Sequence, residues 1–166
     1  MTILSPDKYN ERPESQDPAI ELLTKLGWNY MAPEEAEKQR GNLSNVILKD
    51  DLMSFLKRQK YEYRGEKFQF STTNIAKAIS DIDVPIQSGL MKTSKEIYDL
   101  LLYGKSYEED LYDGGKSSFD MKFIDWENPE NNILRVIDEF SVQKEDKSKR
   151  RPDIVLTVNG IPLVVI

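Results

Sequence analysis

Asp153 is the residue in this chain whose setting most needs a chemical explanation. It opens the run Asp153-Ile154-Val155-Leu156-Thr157-Val158, which is otherwise almost wholly apolar. A carboxylate at the edge of such a run is costly to bury unless a cation or a metal compensates it. Five cations crowd its approach: Lys144, Lys147, Lys149, Arg150 and Arg151. A basic segment of this kind reads either as a solvated loop or as one that contacts phosphate. The 166 residues include no His and no Cys. That excludes a Ser-His-Asp triad, a thiol nucleophile, a disulfide and any imidazole or thiolate zinc site. A metal must therefore take oxygen ligands, which favours Mg²⁺, Mn²⁺ or Ca²⁺.

The elements that would position Asp153 lie on both sides of Asn159-Gly160. Asn-Gly between two β-branched runs is the strongest short-range hairpin signal. Ile154 to Val158 and Ile161 to Ile166 are almost continuously apolar instead of alternating, so both strands are expected to be covered on both faces, as in the centre of an α/β sheet.

The segment Arg151-Pro152-Asp153-Ile154-Val155-Leu156-Thr157-Val158-Asn159-Gly160-Ile161-Pro162-Leu163-Val164-Val165-Ile166 resembles the nuclease core of the R (restriction and translocation) subunit of type I restriction endonucleases. Upstream, Ile124-Asp125-Trp126-Glu127-Asn128-Pro129-Glu130-Asn131-Asn132 is similar to the segment that precedes that core. The likeness is strongest from about Phe123 onward and concerns the N-terminal nuclease domain of that family, a branch of the PD-(D/E)xK nucleases. It implies an α/β fold with a restriction-endonuclease-like core, a mixed central β-sheet flanked by helices, the whole of 1–166 forming one domain that ends inside a core strand. It further implies that the Asp matching Asp153 is catalytic and binds Mg²⁺ together with a Glu two residues before a Lys on the second strand. The chain stops at Ile166, where that Glu-x-Lys would begin, so the fragment alone is expected to be inactive. Such nucleases often carry a metal-binding acid on the first core helix, which here would be Glu21; the same residue also reads as an ordinary solvated helix glutamate. Lys149, Arg150 and Arg151 become the candidate DNA contacts. The implied partners are double-stranded DNA and the methyltransferase and specificity subunits, and ATP would serve a translocase region absent from this chain.

The register of the hairpin can be checked on paper. A strict two-residue loop at Asn159-Gly160 would pair Val158 with Ile161 and Asp153 with Ile166. The position following Ile166 would then face away from Asp153. The two can share a metal only if the loop holds an odd number of residues or a bulge shifts the register by one. A three-residue loop with Gly160 left-handed is a common solution.

The remaining elements read in order. Residues 1–16 are polar, carry Pro6 and Pro13, and suggest an arm. Asp17-Pro18 forms an N-cap and first-turn pair for a helix that Gly27 stops, and Trp28-Asn29-Tyr30 begins a strand. Pro33 to Arg40 is weakly helical. A helix runs from Ser44 to about Lys60 with Val46, Leu48, Leu52, Phe55 and Leu56 on one face. Tyr61, Tyr63, Phe68 and Phe70 alternate around Arg64-Gly65; with Lys60, Arg64 and Lys67 they could stack on single-stranded bases or simply pack. Ser71 or Thr73 caps a helix through Ile82 that Pro85 ends. Thr93-x-x-Glu96 is a capping box before a helix stopped by Gly104. Asp113-Gly114-Gly115 makes a turn, Phe119 to Ile124 a strand, Glu127 to Asn131 a loop, and Ile133 to Val142 a strand.

Net charge of −6 argues against a nucleic-acid surface spread over the whole chain. No apolar run is long enough for a membrane span, no secretory signal pattern opens the sequence, and no Gly-x-x-x-x-Gly-Lys-Ser/Thr phosphate loop occurs, which suits a cytoplasmic protein. Two other readings stand beside the restriction nuclease: a repair- or resolvase-type PD-(D/E)xK nuclease, and a non-catalytic docking domain on a nuclease scaffold.

Overall fold

The computed structural model describes residues 15–83, 90–143 and 147–166. Four strands form the central sheet in the order β1 (Asn29–Met31), β6 (Leu134–Asp138), β9 (Ile154–Val158) and β10 (Ile161–Val165). β1 runs parallel to β6, and the other two pairings are antiparallel, so the sheet is mixed. Alternation along the strands divides its two faces. Val136, Ile154 and Leu156 pack against Ala19, Ile20, Leu23 and Trp28, the apolar side of α1 (Asp17–Lys25) and the residues after it. Ile137 and Val155 meet Met31, Ala36 of α2 (Pro33–Arg40), Leu48 and Phe140 on the other face.

A second apolar cluster joins α3 (Lys49–Arg58) and α4 (Thr72–Ile82) to the hairpins β2 (Lys60–Tyr63)–β3 (Glu66–Gln69) and β4 (Lys105–Asp110)–β5 (Lys116–Met121), with α5 (Leu90–Tyr103) leading into β4. Ile161 of β10 belongs to this cluster, so the hairpin at the end of the chain bridges both. Among the described residues, no helix is long and apolar enough to cross a membrane.

Several boundaries differ from the sequence expectation, each for a local reason. Asp17 is the first residue of α1 itself, and Gln16 stands at the N-cap position. α3 begins at Lys49 instead of near Ser44 because the residues before it are held elsewhere: the Asn42 side chain accepts the Ser44 and Asn45 amides, and the Leu48 amide donates to the Gly160 carbonyl. Ser71 is the α4 cap, through Asn74. Thr93 lies within α5 instead of starting it. β4 was not foreseen: its buried residues are only Tyr107 and Glu109, the latter receiving bonds from Ser71 and Asn74. β5 starts at Lys116 and ends at Met121, earlier than the alternation from Phe119 suggested. β9 is buried throughout, as expected, but β10 is not: it has β9 alone as a neighbour, and Val164, Val165 and Ile166 stay exposed among the described residues. Pro85 and nearly all of the 1–16 arm lie outside the described residues.

The Asn159-Gly160 turn is fixed on three sides. Both residues have positive φ, 52° and 78°, as a two-residue turn between antiparallel strands requires. Asn159 is fully buried; its Oδ1 accepts the Ile133 amide at 2.7 Å, and its Nδ2 donates to the Phe123 carbonyl at 2.9 Å and to Asn132 Oδ1 at 2.8 Å. A Cβ on Gly160 would overlap the Leu48 carbonyl oxygen. Gly65, with φ of 83°, has open space instead. Gly160→Ala should therefore destabilise the chain by at least about 2 kcal/mol more than Gly65→Ala, whose cost of about 1–2 kcal/mol comes from backbone conformation alone. Urea unfolding of the two variants measures the difference; equal losses would show that the contact with Leu48 relaxes freely.

Candidate functional site

The candidate site forms where β6 and β9 end, opposite the Asn159-Gly160 turn. Asp138 pairs with Ile154, and the next rung is made by the Glu139 amide, which donates to the Asp153 carbonyl at 3.0 Å. Glu139 has a φ of 50°, so the strand leaves the ladder there. Asp153 itself is exposed, immediately ahead of β9.

The β9–β10 register settles the question raised from the sequence. The loop has two residues, since Ile161 pairs with Val158, so the three-residue solution is not the one used. The ladder then slips between Pro162 and Val164: Pro162 faces Thr157, but Val164 faces Leu156 and Val165 faces Val155. Leu163 is the extra residue of a β-bulge. Proline at position 162 explains the place, because it has no N–H to give the ladder and a slip beside it disrupts least. Ile154 and Ile166 exchange both backbone hydrogen bonds, at 3.1 and 2.9 Å. Continued by one rung, the ladder sets the position following Ile166 directly across from Asp153, where side chains share a face.

The basic residues form a ribbon beside this strand end. β7 (Val142–Gln143) pairs with β8 (Lys149–Arg150), Val142 opposite Arg150 and Gln143 opposite Lys149. Lys149 and Arg150 are exposed, and neither has an ion-pair partner among the described residues. Arg151 differs: its Nη1 lies 3.5 Å from Glu139 Oε2, an exposed pair worth little, about 0–1 kcal/mol. Lys144 lies outside the described residues.

Glu21 is on the solvent side of α1, its Oε1 2.6 Å from Lys25 Nζ one turn later. It also lines a cavity of about 240 Å³ with Asp17, Ile20, Tyr30 and Asp138. Asp138 is only 1% exposed and accepts the Tyr30 hydroxyl at 2.9 Å. Glu21 thus looks onto the α1 side of the strand whose neighbour follows Asp153. No group of three or more Asp, Glu, His or Cys side chains gathers closely enough to hold an ion among the described residues. Asp153 offers the oxygen type a hard cation takes, but alternation sets it on the Val155 face of the sheet, opposite Glu21 and Asp138, so the structure does not bring these acids together.

Sequence reasoning missed Asp138 and Glu139. The signal was available: an acidic pair interrupting the apolar run from Ile133 poses the question already asked of Asp153. It also missed the charge pair beneath the sheet, where Arg135 of β6 meets the nearly buried Asp51 of α3 through Nε–Oδ2 at 2.9 Å and Nη2–Oδ1 at 3.2 Å. That bidentate bond ties the helix to the strand carrying Asp138. The upstream Asp125 segment has a structural part. Its carboxylate accepts the Asn131 side-chain amide at 2.8 Å and the Asn128 amide at 3.0 Å, and Asn132 then reaches Asn159.

Comparison with known proteins agrees with the likeness read from these residues. Residues 8–166 match the family model described as Type I restriction enzyme R protein N terminus. The chain is 28% identical over 165 residues to the "Putative type I restriction enzyme MjaIXP endonuclease subunit" of Methanocaldococcus jannaschii, an alignment covering 95% of this chain and 15% of that protein. It is 26% identical over 160 residues to the "Type I restriction enzyme HindI endonuclease subunit" of Haemophilus influenzae, covering 88% of this chain and 14% of that one. The chain thus spans roughly a seventh of the length of these relatives.

The bonds to Asp125 hold its carboxyl below the usual value, the Asn131 side chain contributing most. A carboxylate lowered by folding adds stability above its unfolded pKa, and the contribution is lost as pH falls through the folded value. Between about pH 5 and pH 3 the chain should therefore lose stability more steeply than Asp125→Asn does. Urea midpoints across that range test this; parallel losses would remove Asp125 as the linked group.

Proposed function

The chain belongs to the Type I restriction enzyme R protein N-terminus family, and from that premise we propose that it is the metal-dependent DNA endonuclease domain of such a subunit. It would cut phosphodiester bonds in unmodified foreign DNA after ATP-driven translocation by other parts of the subunit, in a complex with methyltransferase and specificity subunits. Family membership sets aside the repair or resolvase type. The observation that carries the nuclease reading is the bulge at Leu163. A plain hairpin would turn the position after Ile166 away from Asp153; the observed register, continued by one rung, would bring the two to one face, which supports the reading.

In this reading Asp153 is a ligand of Mg²⁺, and its exposure and the directional backbone bond to Glu139 hold it at the strand end without burying an unpaired charge. Bound Mg²⁺ would neutralise charge at the phosphate and make hydroxide available near neutral pH. Lys149 and Arg150, on an exposed ribbon three or four residues before Asp153, contact the phosphates and set the backbone's distance from that carboxylate. Arg151 joins them by exchanging Glu139 for a phosphate oxygen, which costs little because the pair is exposed. Glu21 looks onto the α1 face, which strand alternation sets opposite to the face of Asp153, so as a further metal-side acid it would have to reach a shared ion around the strand end.

Two measurements test this. In the assembled complex, Asp153→Ala should lower DNA cleavage by at least about 100-fold while ATP hydrolysis persists. Undiminished cleavage would favour the docking domain without catalysis. Lys149→Ala with Arg150→Ala should flatten the slope of log K against log salt for double-stranded DNA by about 2, one unit per lost phosphate contact. An unchanged slope would return the ribbon to a solvated loop.

A further inference from the structure

Arg151 and Asp153 stand two residues apart with Pro152 between them. The proline ring fixes its own φ and pushes the residue before it toward an extended backbone. Residues two apart in an extended chain present their side chains to the same side. On local geometry alone, Asp153 is therefore the carboxylate that Arg151 meets first. The structure pairs it otherwise. Arg151 Nη1 lies 3.5 Å from Glu139 Oε2, and among the described residues no cation pairs with the Asp153 carboxylate. An acid at the end of β6 has taken the arginine from the acid beside it in sequence.

The backbone at Glu139 bears on this. Among the described residues, four that are not glycine have positive φ. Arg64, Lys147 and Asn159 lie in the loops of the β2–β3, β7–β8 and β9–β10 hairpins, whereas Glu139 follows β6, which forms no hairpin with the strand after it. A glutamate is strained at a φ of 50°, and glycine would make the same bend without that strain. The position is also pinned. Asp138 before it is buried and bonded to Tyr30, Phe140 after it is buried under Arg40, and its own amide bonds to the Asp153 carbonyl. What glutamate adds to the bend is a carboxylate, and a pair with an arginine that is 62% exposed stabilises little. Stability therefore does not account for the acid, and strain kept without that return points to function.

We propose that Glu139 is a positioning residue: it draws Arg151 to the end of β6 and so keeps the Asp153 carboxylate unpaired and open to a metal ion. What that openness serves rests on the reading of Asp153 as a metal ligand. A guanidinium held on Asp153 would occupy the oxygens that a hard cation takes. Two exposed pairs of this kind are similar in strength, so a small advantage decides between them. Glu139 has it, because a pinned backbone loses less freedom when its side chain pairs. The same exposure lets Arg151 leave for a phosphate.

In the 166-residue chain, the Arg151 Nε–Hε resonance in an NMR spectrum reports where the guanidinium sits. Asp153→Asn should leave that resonance unmoved in the natural chain. In a Glu139→Gln background, which keeps the side-chain length and removes the charge, the same substitution should shift it, because Arg151 then pairs with Asp153. A resonance that responds to Asp153→Asn in both backgrounds, or in neither, overturns the assignment. In the assembled complex, Glu139→Gln should lower DNA cleavage by about 2- to 5-fold, the occupancy expected of an exposed ion pair on Asp153. It should do nothing in an Arg151→Ala background, and a loss that persists there would also overturn the proposal. Failure of the nuclease reading looks different: Asp153→Ala would leave cleavage undiminished while the Arg151 resonance still responded as stated.

Discussion

Everything at the candidate site depends on a turn that lies at the far end of the strands from it. Asn-Gly turns ordinarily sit in solvent, where their left-handed backbone is their only requirement. Here the turn is inside the protein. The Asn159 side chain uses both ends of its amide, closing the chain between Phe123 and Ile133 onto the hairpin, and Gly160 lies against the start of α3. Each such buried bond contributes a net of about 0.5–1.5 kcal/mol, and leaving one unmade costs more than making it gains. The turn therefore fixes where the hairpin starts relative to both apolar clusters, which a solvent-exposed turn would leave to side-chain packing alone.

From that fixed start the register propagates about 17 Å along β9 to Asp153, at about 3.3 Å per residue. An error of one residue along that length would reverse the face of each β10 side chain relative to β9. The bulge at Leu163 is such a shift, made deliberately and at a proline, and it converts a two-residue turn into the pairing parity that an odd loop would have given. Turn and bulge are two halves of one device. The turn sets position rigidly, and the bulge selects the face.

Much of this was legible in the sequence, and the part that was not has a common cause. The hairpin, and a carboxylate standing just ahead of it, followed from residue types and strand periodicity; the expectation of a register shift came from the family resemblance. Which of the two shifts occurs did not, because loop length and bulge satisfy the same parity and differ only through Pro162 and the packing of Gly160 on Leu48. Helix α3 was placed too early for the same reason: Ile47 and Leu48 have the apolarity of a helix face but are buried by the hairpin, and the Leu48 amide bonds to Gly160. β4 escaped notice because its inward positions include Glu109, a buried carboxylate that caps α4 through Ser71 and Asn74. Asp138 and Arg135 were missed because a charge inside a strand is explained by a partner distant in sequence. In each case a long-range contact overrode the local pattern.

Arg40 shows how the sheet end is joined to the basic ribbon. It is 1% exposed and has no carboxylate within bonding distance among the described residues; burial pushes its guanidinium below the usual value. Nη1 donates to the Ser141 carbonyl at 2.9 Å and to the Asn45 carbonyl at 3.2 Å, and the guanidinium lies 4.0 Å from the Phe140 ring centroid. An anionic partner would offset the desolvation more fully. Carbonyls and a ring face offset less, but they belong to the backbone and to a core residue and cannot swing away. Phe140 and Ser141 are the residues through which the chain passes from Asp138 and Glu139 to β7. Gripping them from beneath holds the turn out of the sheet, and with it the origin of the ribbon that carries Lys149 and Arg150. In the proposed reading the carboxylates would need the exact register of the ladder, whereas the cations would need only a fixed root and freedom at their tips, and the fold supplies the two by different means.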